Sequence, residues 1–198
     1  MSPTHTTARA PHTDSRAPQV LDCAASLFCG KGYEATSVRE IAQGAGMLPG
    51  SLYCHFANKE ALLVAVYRRG VDQIIQAVQQ ALGRHQDPWH RLEAACVAHL
   101  EAVLRDDDYA QVVVRVRPSD APAVAGELAA LRDRYDALFT GLVAALPLAR
   151  GTDRQALRLM LLGSLNWAQT WYRPTGRLKP GALARRFVAL LRAAQENT

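Results

Sequence analysis

Apolar residues recur at steps of three and four almost from end to end of this chain, and that spacing leaves room for little except helices. Val20, Ala24, Leu27 and Phe28 make one stripe, and Leu63, Val66, Gly70, Ile74, Val78 and Leu82 make a longer one. An α-helix turns once in about 3.6 residues, so such steps return to the same face. A half-buried strand needs alternation with period two, and no stretch sustains it. The cluster Val112-Val113-Val114 is β-like but too short to build a sheet. The expected fold class is all-α.

Caps and breakers divide the stripes into elements. Helix one runs from near Arg16 and is stopped by Gly30 and Gly32. Ser37 and Glu40 form a capping box, in which each side chain satisfies the other's orphan amide. It opens a short helix with Val38, Ile41, Ala42 and Ala45 on one face. Gly46 permits a tight turn, and Pro49 suits the first position of a helix reaching about Phe56. Asn58 caps a long helix to about Arg84, and Asp87-Pro88 starts another to about Leu104. A loop at Asp106–Asp108 precedes a short helix, Tyr109 to Arg115. Helices follow from about Ala123 to Leu146, from the Asp153 cap to about Tyr172, and from Pro180 to about Ala194. The organisation expected is a flexible tail at 1–15, a three-helix domain at 16–62, and a six-helix bundle at 63–198. The second boundary falls inside the long helix.

Several classes of function drop out. No apolar run approaches the roughly 18 residues that span a bilayer, so no membrane partner is expected, and the N-terminus lacks the apolar core of a secretory signal. The four cysteines form no CxxC pair and have no histidine spacing that suits zinc. They fit a reducing bacterial cytoplasm, with no metal and no cofactor. No phosphate-cradling glycine loop or nucleophile signature suggests an enzyme. Gly30-Lys31-Gly32 is a helix stop, and His90, Glu93 and Asp106–Asp108 read as cap and loop residues.

The net charge of +5 invites a nucleic-acid reading, but its location matters. Residues 1–62 hold five Lys/Arg and five Asp/Glu, whereas residues 150–198 hold nine and two. The DNA-reading signal is instead local. Residues 37–56 read as helix, tight turn, helix, the plan whose second helix enters the major groove. On its wheel Leu52 and Phe56 point inward, while Gly50, Tyr53 and Cys54 point outward with Ser51 and His55 on the flanks. Gly50 lets a backbone approach closely, and Tyr53 offers a hydroxyl. His55, Lys59, Thr36 and Arg39 are candidates for phosphate. Spacing alone also fits an ordinary three-helix cap on a bundle.

The run Val20-Leu-Asp-Cys-Ala-Ala-Ser-Leu-Phe28, with Gly32-Tyr33, Thr36-Ser-Val-Arg-Glu-Ile-Ala42, Ala45-Gly46, Gly50-Ser-Leu-Tyr53, His55-Phe56, Asn58-Lys-Glu60 and Leu62, resembles the TetR/AcrR family of transcriptional regulators. The resemblance implies an all-helical homodimer on a palindromic operator, usually a repressor released by a small ligand. It implies phosphate roles for Thr36, Tyr53, His55 and Lys59, and groove contacts from Pro49, Gly50 and Ser51. Two positions depart from the family pattern. Leu48 stands where a side-chain cap is usual, and Cys54 where His, Tyr or Trp is common. An exposed Cys54 also opens a second reading, a thiol redox sensor in which oxidation obstructs DNA.

In that family the last two long helices pair across the dimer. Leu157, Leu161, Ser164, Leu165 and Ala168 form one stripe, with Gly163 allowing close approach. Asn166 and Gln169 need polar partners inside an apolar helix, either across the dimer or in a pocket. Trp167 and Trp171, one turn apart, suit core packing or a ligand wall. The run Gly163-Ser-Leu-Asn-Trp167, with Trp171-Tyr-Arg-Pro174, Gly176 and Leu178, resembles a subgroup governing fatty-acid and steroid breakdown, several of whose members respond to acyl-coenzyme A thioesters. Arg173 and Arg177 would then meet ligand phosphates, or else remain surface charges. His99, Tyr109 and Arg115 are further candidates for lining the cavity or its entrance.

Overall fold

The computed structural model describes residues 16–83 and 85–196; the expected tail at 1–15 lies outside them. Among the described residues there are nine α-helices and no strand. They are α1 (Ala17–Lys31), α2 (Val38–Gly44), α3 (Pro49–Leu52), α4 (Lys59–Leu82), α5 (Pro88–Val103), α6 (Asp108–Arg115), α7 (Ala125–Ala144), α8 (Arg154–Trp171) and α9 (Pro180–Glu196). The fold is all-α, as the periodicity requires.

The starts of the helices are set by their caps. The Ser37–Glu40 box is complete, and Asn58, Asp87, Asp107 and Asp153 each accept from a backbone amide three residues on. Gly46 has φ +64, and around it Met47 N donates to Ala42 O at 2.9 Å while Gly46 N donates to Gln43 O at 3.1 Å. This paired closure satisfies the last carbonyls of α2 and turns the chain sharply into α3. Two elements differ from expectation. Helix α1 passes through Gly30 and ends at Gly32, where φ is 91. Helix α3 closes at Leu52, and the stretch to Phe56 continues as turns, with His55 N donating to Leu52 O at 2.9 Å. Leu48 provides no side-chain cap, so only Pro49 favours this start.

The core runs across the expected boundary at residue 62. Val20, Ala24 and Phe28 of α1, Ile41 of α2 and Leu52 of α3 share one apolar cluster with Val66 and Tyr67 of α4, Val112 of α6 and Leu128 of α7. A second cluster joins Leu92 and Leu100 of α5 to Phe139 and Leu142 of α7, Leu161 and Leu165 of α8, and Val188 of α9. Helices α4 and α6 approach closely at Gly70, which faces both backbone and side chain of α6. A Cβ there would lie 2.5 Å from Tyr109 O and 2.7 Å from Val113 Cγ2. Glycine is what allows this approach.

Helix α8 corrects the expected dimer stripe. Leu157, Leu161, Leu165 and Ala168 are buried within the protomer, against α5, α7 and α9. Leu159, Met160, Gly163, Ser164, Trp167 and Trp171 lie on the exposed side. The helix carries apolar residues on two faces, and spacing cannot show which one a protomer keeps for itself. No helix among the described residues is long and apolar enough to cross a membrane.

Candidate DNA-reading element and effector cavity

The outward side of the helix-turn-helix is small and open. Leu52 is fully buried and Phe56 half-buried against the apolar cluster that α2 shares, which anchors α3, while Pro49, Gly50, Ser51, Tyr53, Cys54 and His55 are all exposed. The Cys54 thiol sits 3.9 Å from Gly50 O, turned back on α3. Arg39 is exposed on α2. Leu48, 76% exposed, adds an apolar side chain at the entrance of α3.

Two candidate phosphate ligands are placed differently. Thr36 is only 2% exposed, and its hydroxyl donates to Gly32 O at 2.7 Å and Leu27 O at 3.3 Å. Its side chain ties the end of α1 and does not face outward. The Lys59 ammonium donates to Tyr33 O, Glu34 O and Thr36 O at 2.9, 3.3 and 3.1 Å, and stands 4.3 Å from the Tyr33 ring centroid. All three of its donors are engaged in pinning the α1–α2 loop to α4. Both residues hold the reading element in position, and Lys59 also leaves a positive charge beside it.

A cavity of about 260 Å³ lies between α4, α5, α6, α7 and α8. Val71, Ile74, Val103, Val113 and Leu162 give it apolar walls. Its polar groups are His99, Tyr135 and Asn166, with Arg132, Asp133 and Asp136 also on its lining. Of the residues expected around an effector, the structure brings His99 and Asn166 here. Nothing in the sequence singles out Tyr135, Arg132 or Val71, and Val113 and Val114 stand out only as a β-like cluster, because only the packing of distant helices assembles them. His99 is 1% exposed, and its Nδ1 is hydrogen-bonded to the Tyr135 hydroxyl. Burial pushes the imidazole down to about 4; the nearby Asn166 amide opposes that shift without giving Nε2 a hydrogen bond. Burial also pushes the Tyr135 phenol well above its usual range.

This histidine ties stability to pH. The unfolded ring takes its proton near its ordinary pKa, and the folded ring only near 4. Stability is therefore full above the unfolded value and declines as pH falls through the window towards 4. Between about pH 7.5 and about pH 5 we expect His99 to withdraw about 2 kcal/mol. Urea melts at the two pH values check this; a His99→Gln chain with an unchanged slope would show the loss has another source.

Other candidates lie elsewhere. Tyr109 is buried against α1, where its hydroxyl donates to Asp22 Oδ1 at 2.5 Å. Arg69 lies over its ring, 4.6 Å from the centroid, and 3.7 Å from Asp22. Arg115 Nη1 donates to Cys29 O at 3.1 Å, at the end of α1. These two residues bind α6 to α1 and are not among the residues lining the cavity. Trp167 and Trp171 sit on the exposed α8 face. Arg173 and Arg177 are exposed between α8 and α9, outside the cavity lining.

A helix-turn-helix with an open reading face, carried on a helical bundle with an internal cavity, defines a DNA-binding transcriptional regulator. The chain belongs to the TetR family. Residues 20–66 match the family model described as bacterial regulatory proteins, tetR family, and residues 85–194 match the tetracyclin repressor-like C-terminal domain. It is 30% identical over 191 residues to the transcriptional repressor KstR2 of Mycobacterium tuberculosis, covering 90% of this chain and 92% of that one. It is 34% identical over 115 residues to the transcriptional activator FasR of Mycolicibacterium smegmatis, covering 58% of this chain and 52% of that one. Among solved structures, AibR in complex with isovaleryl coenzyme A and operator DNA superposes with a TM-score of 0.77 at 27% identity, covering 89% of this chain and 97% of that one. Members of the family regulate by binding DNA and are not enzymes.

Proposed function

We propose that the chain is a homodimeric repressor of a palindromic operator, released when a small acyl ligand fills the α4–α8 cavity. Residues 16–62 read the operator; residues 63–198 dimerise and hold the effector. Pro49, Gly50, Ser51, Tyr53 and Cys54 face the groove, His55 and Arg39 meet phosphate, and Lys59 contributes charge from behind. KstR2 is a repressor by name, and the AibR structure holds an acyl-coenzyme A together with operator DNA. The first supports repression, and the second supports an acyl thioester as the effector class. A cavity of about 260 Å³ is below the roughly 300–1,000 Å³ of sites for drug-sized ligands, so it suits the acyl part, with the coenzyme outside.

The observation that carries this reading is the position of α6. Val113 and Val114 on one side line the cavity, while Tyr109 and Arg115 hold α1 at Asp22 and Cys29. A ligand that displaces α6 must therefore strain α1 and the reading element above it. Operator binding followed by fluorescence anisotropy tests this: acyl-coenzyme A thioesters should release the DNA and raise the melting temperature. Stabilisation only by an uncharged apolar compound, and by no thioester, would defeat the thioester reading.

The same titration measures salt dependence. The reading element offers few cations, so the slope of log K against log salt should not exceed about 5 in magnitude for the dimer. A slope near 10 would mean that a polybasic surface, absent from residues 16–62, carries the affinity.

A further inference from the structure

The cavity holds one feature that apolar packing does not explain. His99 Nε2 is buried on its wall without a hydrogen-bond partner, although Nδ1 is satisfied. A buried polar atom left so is costly unless something meets it. The tautomer follows from Tyr135. Its buried hydroxyl keeps a proton that needs an acceptor and meets the His99 ring at Nδ1, so it donates to Nδ1 and the ring proton sits on Nε2. Nε2–H therefore points to an acceptor. Asn166, half-buried on the same wall, favours the protonated ring as an acceptor would without reaching hydrogen-bond geometry at Nε2, and its amide nitrogen can donate beside it.

We infer that His99 and Asn166 form a hook for an uncharged carbonyl oxygen, that of an acyl thioester or ester, with the acyl chain packed on Val71, Ile74 and Val103. This rests on the effector-cavity reading and specifies its chemistry. The oxygen accepts from His99 Nε2–H and from the Asn166 amide, and Tyr135 holds the ring in orientation. A free carboxylate fits poorly. The histidine is neutral, and a desolvated anion needs a cation beside it. The lining's cation, Arg132, is matched in charge by Asp133, and Asp136 is already paired with Arg158.

The test uses the full chain and three probes: the hexanoyl thioester of N-acetylcysteamine, the thioether with CH₂ in place of its carbonyl, and hexanoate. By calorimetry the thioester should bind about tenfold more tightly than the thioether, the worth of one net hydrogen bond. Hexanoate should bind more weakly than the thioester, and His99→Leu should shrink the thioester–thioether gap to under about threefold. Nitrogen-15 spectra of the wild-type histidines, which need no variant, should show His99 as the Nε2–H tautomer. Leu162→Trp, which fills the cavity, should abolish binding of every probe. If thioester and thioether bind equally and both are lost in Leu162→Trp, the cavity reading stands and the hook falls. Tighter binding of hexanoate, or an Nδ1–H tautomer, also overturns the hook. Binding that persists in Leu162→Trp places the ligand elsewhere, and no binding to wild type overturns the effector cavity and the hook together.

Discussion

Replacing Trp167 with glutamate is expected to yield a folded monomer that no longer holds its operator. Trp167 is 61% exposed and sits with Leu159, Met160, Gly163, Ser164, Trp171 and Phe187 around an open concave patch of about 480 Å³ on α8 and α9. Leu190, 70% exposed, also lies on α9. Exposed patches of this kind mark association, and aromatic and methionine side chains are what interfaces favour. In a two-fold dimer the same patch meets itself, so one substitution changes both sides of the contact. A glutamate there removes an aromatic anchor and buries a charge without a partner, at a cost above about 2 kcal/mol. The operator contact then loses its second half. Converting a two-site contact into single-site binding weakens it by about 10²–10⁴-fold. Sedimentation at micromolar concentration and operator anisotropy report the two effects, and circular dichroism shows that the helices remain. A Trp167→Glu protein that stays dimeric with unchanged operator affinity would move the interface away from α8.

What could be read before the fold was known follows the range of each interaction. Caps act over three residues, so Ser37, Asn58, Asp87 and Asp153 are visible as written. The faces of α2 and α3 are set by one turn of helix, and Leu52 is buried and Tyr53 exposed as the wheel requires. Helix α8 shows where that logic stops, since the choice between its two apolar faces belongs to α5, α7 and α9. The cavity residues come from five helices, and nothing local in Tyr135 or Val71 marks them. Tyr109 and Arg115 reach partners 87 and 86 residues away, beyond any periodic signal. The basic excess near the C-terminus is partly structural. Arg154 donates to the carbonyls of Val143, Ala144 and Leu146 at the end of α7, and Arg158 pairs with Asp136. Their role depends on where α7 ends, which the sequence of α8 does not state.

A single methyl group on Gly70 is expected to destabilise the protein and uncouple its two ends. By helix propensity alone Gly70→Ala should stabilise α4 by about 1 kcal/mol. The packing opposes this. The added Cβ would meet Tyr109 O at 2.5 Å, Tyr109 C at 2.9 Å and Val113 Cγ2 at 2.7 Å. Two of these atoms are backbone and cannot rotate away, so α6 must shift from α4. That shift strains the hydrogen bond from the Tyr67 hydroxyl to Val113 O, 3.2 Å, and the one from Tyr109 to Asp22. Overpacking of this kind costs about 1–3 kcal/mol or more, and with backbone contacts the net loss should be about 2 kcal/mol. The direction of the shift matters as much as its cost. It moves α6 as a bound ligand would, so operator affinity should fall by about 5–150-fold without effector, and added effector should change it little. Urea denaturation gives the first quantity and operator titration with and without an acyl thioester gives the second. A Gly70→Ala chain more stable than wild type, with its effector response intact, would mean that helix propensity outweighs the contact and that α6 is not the lever between cavity and operator.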